Sequence, residues 1–74
     1  SFGPDASAIA ADLVKLPDEI LFQLRQAAAA ADGEKINLLI HQIQPLNNQV
    51  KTALEGLVAQ YRFDLILGLL PVKN

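Results

Sequence analysis

Apolar residues recur along this chain at intervals of three and four, with no alternating strand pattern, so the sequence predicts helices throughout. Ile9, Leu13 and Leu16, with alanines between them, predict a short first helix starting at Asp5 or Ser7. It stops before Pro17, because a proline disfavours helical backbone at the residue before it. Pro17 then suits the first turn of a second helix, where Asp18 and Glu19 complement the positive end of the helix dipole. This helix is expected to run to about Ala31, burying Ile20, Leu24, Ala27 and Ala31, widened by Leu21 and Ala28. Asp32-Gly33 breaks it and caps a third helix from near Glu34, whose buried face is Ile36, Leu39, Ile40 and Ile43. Pro45 ends that helix, since its ring would clash with the carbonyl of His41. After Leu46 and the Asn47-Asn48 pair, Val50, Ala53, Leu54, Leu57, Val58 and Tyr61 predict a fourth helix. A last one runs from Asp64, the expected N-cap, to about Leu70, with Pro71 as its stop and Val72-Lys73-Asn74 as a tail.

The expected fold is therefore all-α, a compact bundle of four to five short helices whose brief connections make sequential helices neighbours. Residues 1–15 read as a linker or short first helix, with Ser1-Phe2-Gly3-Pro4 as a linker end or cloning remnant, and residues 16–74 as the bundle. No internal repeat of 20–50 residues is expected. The last helix carries Leu65, Ile66, Leu67, Leu69 and Leu70 almost all round, so the other helices wrap it or another chain covers it. Phe22 and Leu38 fall off the apolar faces of their own helices. Together with Leu65 and Leu67 they are the expected interaction surface, should they converge in space.

Composition narrows the function classes. The chain has 74 residues, half of them apolar and 19% charged, which suits a folded domain and not a disordered tail. Its net charge is -2, and Lys15, Arg25, Lys35, Lys51, Arg62 and Lys73 are scattered, leaving no basic stripe for a nucleic-acid backbone. No apolar stretch approaches the roughly 20 residues that span a bilayer, so no membrane insertion is expected. The start lacks the pattern of a signal peptide. With no cysteine there is no disulfide, thiol nucleophile or cysteine-based zinc site. A cytoplasmic location follows as the expectation, and a longer parent chain is free to be membrane-anchored.

The chemical inventory is sparse. His41, the single histidine, lies opposite the apolar face of its helix, on the exposed final turn, where a phosphotransfer histidine would need to be. Phosphotransfer domains, however, present H-x-x-K-G, and here Gln44 and Pro45 stand in place of the lysine and glycine. A surface histidine at the negative helix end is the plainer reading. Asp12, Asp18, Glu19, Asp32, Glu34, Glu55 and Asp64 sit mostly at helix starts and show no metal-ligand spacing. Ser1 and Ser7, the two serines, do not follow an aspartate as the serine of an acyl carrier protein does. No phosphate loop or nucleophile elbow is present, so neither a catalytic residue nor a cofactor is expected.

Leu16-Pro17-Asp18-Glu19-Ile20-Leu21, then Asp32-Gly33, then Leu39-Ile40-His41-Gln42-Ile43, then Leu57-Val58 and Tyr61-Arg62-Phe63-Asp64-Leu65-Ile66 form an ordered set. The set resembles the helical segment at the C-terminal end of bacterial hybrid sensor histidine kinases, over about residues 16 to 70. The resemblance implies a role in two-component signalling beside a receiver or kinase domain of the same or a cognate chain. It also implies that the ATP site and phosphoacceptor residues lie in other domains. The leading expectation is a non-catalytic interaction and regulatory module. Two rivals stand beside it: an atypical phosphotransfer domain using His41, and a self-association domain acting through the Leu65 to Leu70 helix.

Overall fold

The structure is a computed structural model that describes residues 6–42 and 48–71. The expectations placed on Ser1 to Asp5, on Ile43, Gln44, Pro45, Leu46 and Asn47, and on the tail after Pro71 lie outside the described residues. The described residues form five helices: α1 (Ala6–Leu13), α2 (Asp18–Ala29), α3 (Gly33–Gln42), α4 (Asn48–Ala59) and α5 (Phe63–Leu69). The all-α bundle is the fold, and no strand occurs among the described residues.

Side chains spaced three and four apart on every helix converge on one core. Ile9 and Leu13 from α1, Leu24 from α2, Ile36, Leu39 and Ile40 from α3, Leu54 from α4 and Ile66 from α5 are all essentially inaccessible to solvent. Among the described residues no polar residue is buried as a whole, although the Oδ1 atom of Asn37 is. α5 is wrapped by α1, α2 and α4, and Leu65, Leu67 and Leu69 pack half-buried against the core. The apolar surround of α5 is thus met within the chain.

Several boundaries differ from expectation, and the turns explain why. α2 ends at Ala29, not Ala31, because Ala31 takes a left-handed conformation with φ 55° and is exposed. The Ala31 N–H donates to the Ala28 carbonyl (3.1 Å) and the Asp32 N–H to the Ala27 carbonyl (2.8 Å), a Schellman cap that reverses the chain. Tyr61 ends α4 in the same way. Its φ is 59°, its N–H donates to the Val58 carbonyl (3.0 Å), and the Arg62 N–H donates to the Leu57 carbonyl (2.8 Å). Tyr61 is therefore 80% exposed and does not complete the apolar stripe of α4. Ile20 is only half-buried, while the widening residues Leu21 and Ala28 are fully buried. Asp32 does cap α3, its Oδ1 accepting the Lys35 backbone N–H at 3.1 Å. Asp64 does not cap α5. Arg62 occupies the cap position, and Asp64 lies inside the first turn.

Contrary to expectation, the bundle contains an internal structural repeat. α2 and α4 are both twelve residues long and start at 18 and 48. Their left-handed turn residues are 31 and 61, and the helices that follow start at 33 and 63, so the helix starts and turns recur thirty residues later, although α5 is shorter than α3. Buried residues match in register: Leu24 with Leu54, Ala27 with Leu57, Ile36 with Ile66, and Ile40 with Leu70. Each hairpin also packs on the other in a reciprocal way, α2 against α5 and α4 against α3. Exchanging the hairpins leaves this pattern unchanged, as an approximate two-fold relation requires. The equivalent positions Gly33 and Phe63 lie in contact, but it is Val58 that crowds Gly33. A Cβ on Gly33 would lie 3.6 Å from the Phe63 ring and 2.8 Å from Cγ1 of Val58.

Candidate interaction surface

The expected surface residues differ in exposure. Leu65 and Leu67 are half-buried in the bundle, whereas Phe22 (59%) and Leu38 (56%) are exposed. Phe22 alone borders a groove with the end of α5. Asp18, Leu21, Phe22, Arg25 and Pro71 line this groove, whose volume is about 280 Å³. Its shape follows from α2. Leu21 points into the core beneath the groove, Asp18 and Phe22 lie one turn apart on the outer face, and Arg25 lies one turn further on. Arg25 is half-buried and donates from Nη2 to the Pro71 carbonyl at 2.8 Å, tying α2 to the end of α5. Four guanidinium N–H donors remain beyond that bond.

The repeat supplies an internal comparison. Residues 41 and 55 match residues 71 and 25, and they too lie close together: His41 Nε2 is 3.8 Å from Glu55 Oε2. The first helix of each hairpin therefore meets the end of the other at equivalent positions, through a hydrogen bond from Arg25 to Pro71 and through the proximity of Glu55 to His41. Around these positions the chemistry diverges. Leu21 and Phe22 are replaced in the second hairpin by Lys51 and Thr52, and Asp18 by Asn48. The fold thus places a threonine where α2 carries an exposed phenylalanine, so packing does not account for Phe22.

His41 sits on the last turn of α3 with its side chain 70% exposed. The neighbouring Glu55 carboxylate places negative charge where a phosphoryl group on Nε2 would have to be accommodated. A second, polar groove of about 320 Å³ runs beside the first turn, lined by Gln23, Gln26, Ala27, Ala30, Asp32 and Lys35. At the second turn Arg62 forms a two-pronged pair with Asp64, Nε to Oδ1 at 3.1 Å and Nη2 to Oδ2 at 3.0 Å. Hydrogen bonding from the guanidinium holds the Asp64 carboxyl below the usual carboxylate range, and the same bonds raise Arg62 above its ordinary value. The pair is exposed, so it orders the turn more than it stabilises the fold. Among the described residues no group of three or more His, Cys, Asp or Glu is placed to hold a metal ion, and no helix is long and apolar enough to cross a membrane.

The sequence profile of the hybrid histidine kinase-response regulator C-terminal domain matches residues 6–71, nearly the whole chain. The chain belongs to that family. No curated protein and no solved structure matches it. The match begins at the first residue of α1 and ends at Pro71, so both the Arg25–Pro71 tie and the Phe22 groove lie inside the family's domain. Sequence reasoning marked Phe22 as off its stripe but missed Arg25, Asp18 and Pro71. The signal available for them was the spacing of Asp18, Phe22 and Arg25 along one side of α2, which becomes informative only once the end of α5 is known to lie beside it.

Proposed function

We propose that this hybrid histidine kinase-response regulator C-terminal domain is a non-catalytic protein-interaction module. It acts in two-component phosphorelay by packing against other domains in the cytoplasm, and not through a reactive group of its own. The observation that carries this reading is Phe22, an exposed aromatic beside a groove, at a position where the equivalent helix α4 carries Thr52. An aromatic anchor rimmed by charge is the composition of a docking patch. Its partners are the receiver or kinase domain of the same or a cognate chain. Glu55 beside His41 weighs against the phosphotransfer alternative.

The test is to mix the domain with a phosphorylated receiver of the parent system, following both label and the receiver-induced changes in the domain's amide NMR spectrum. The expected result is no label on the domain and shifts centred on Phe22 and Arg25, weakened at least about tenfold by Phe22→Thr. Acid-labile phosphate on the wild type that disappears in His41→Gln would overturn it. So would a spectrum unmoved by both the receiver and the kinase domain.

A further inference from the structure

The exposed side of α2 has a property that the matching side of α4 lacks: it is complementary to itself. Asp18, Phe22 and Arg25 stand at i, i+4 and i+7, so they share one stripe with the acid toward the helix start, the base toward its end and the aromatic between them. When two such helices pair antiparallel about a two-fold axis, lateral position is kept and direction is reversed. Asp18 of each copy then faces Arg25 of the other, and each Phe22 meets the opposite groove next to the axis. The corresponding stripe of α4 reads Asn48, Thr52 and Glu55, with neither the aromatic nor the opposed charges.

We propose that α2 is a self-association surface, pairing two copies of this domain antiparallel through Asp18, Phe22 and Arg25. The groove between Leu21, Arg25 and Pro71 receives the phenylalanine of the second copy. The bond from Arg25 to the Pro71 carbonyl fixes the guanidinium beside the groove and leaves it further N–H donors for the second copy. A twelve-residue helix is only about 18 Å long, so the patch falls below the roughly 800 Å² per partner of a stable interface. The pairing is accordingly weak for the isolated domain, and strengthens where a parent chain holds two copies close together. This inference rests on reading the α2 face as an interaction surface; a second copy then occupies that face in the isolated domain and competes there with the receiver.

The test is sedimentation equilibrium of the 74-residue chain from about 10 μM to about 1 mM at low salt, a range that reports weak dimers. A monomer–dimer equilibrium is expected, weakened at least about tenfold by Phe22→Thr and by added salt. Asp18→Arg and Arg25→Asp should each be monomeric, since like charges then face one another. An equimolar mixture of the two should pair again, because both contacts become opposite in sign. Circular dichroism reports whether each variant is folded. Should Arg25→Asp lose its tie to Pro71 and unfold, Phe22→Thr and Asp18→Arg decide the matter, both being changes at exposed positions. Three results would overturn the pairing: a wild type monomeric throughout, a dimer indifferent to both Phe22→Thr and Asp18→Arg, or folded charge variants that fail to pair when mixed. A monomer whose Phe22 responds only to the receiver would assign the face to that partner instead. The measurement uses no receiver, so its outcome is separate from that of the phosphotransfer mixture.

Discussion

Tyr61 shows how a single residue escapes a periodicity argument. It continues the spacing of Val50, Leu54, Leu57 and Val58, yet it sits at the left-handed position of a Schellman cap with φ 59° and its ring in solvent. A left-handed conformation costs an L-residue about 1–2 kcal/mol, and glycine is free of that cost. Tyr61→Gly loses almost no buried surface, and the greater freedom of glycine in the unfolded chain offsets part of the gain. The expected outcome is a stabilisation of about 0.5–1 kcal/mol, read as a higher urea midpoint with an unchanged slope. A loss of stability would mean that the ring makes a contact worth more than the strain. Ala31, at the other turn, escaped for the same reason. Spacing records which side of a helix a residue lies on, and neither turn carries the glycine that marks a left-handed cap in sequence.

At the level of elements, the number and order of the helices were legible because their apolar spacing is regular, and Pro17 and Asp32 punctuate it. The relation between them was not. Aligned thirty residues apart, the two hairpins are identical only at Leu24/Leu54, Ala29/Ala59, Ile36/Ile66 and Leu39/Leu69. A shared backbone path leaves so little trace because core positions ask only for an apolar residue of suitable volume. Where α3 meets α4, volume is shared unequally, and Gly33 yields to Val58. Gly33→Ala would bring a methyl within 2.8 Å of Cγ1 of Val58, a β-branched side chain with little freedom to turn aside. The expected cost is about 1–2 kcal/mol in thermal or denaturant unfolding. In a Val58→Ala background the same change should be neutral or stabilising, because the clash is gone and alanine is the better helix former. Equal costs in the two backgrounds would refute the contact as their origin.

For the whole molecule, the reciprocal packing of the hairpins decides how it comes apart. α2 lies on α5 and α3 on α4, so neither hairpin buries its apolar face without the other. Ile36 and Ile66, equivalent by the repeat, are 0% and 1% exposed, one in each hairpin. Truncating either to alanine should cost about 2–5 kcal/mol. A chain of 74 residues has only about 4–11 kcal/mol in total, at the usual contribution per residue. Two independent hairpins would each register only their own mutation. A single cooperative unit instead registers both alike, and that is the expected result: Ile66→Ala lowers amide exchange protection in α2 and α3 as much as in α4 and α5, and Ile36→Ala does the same in reverse. Protection lost only in the mutated hairpin would show that the halves open separately. In that event the groove between α2 and the end of α5, which exists only while the hairpins are packed together, would be a transient feature of the domain and not a standing surface.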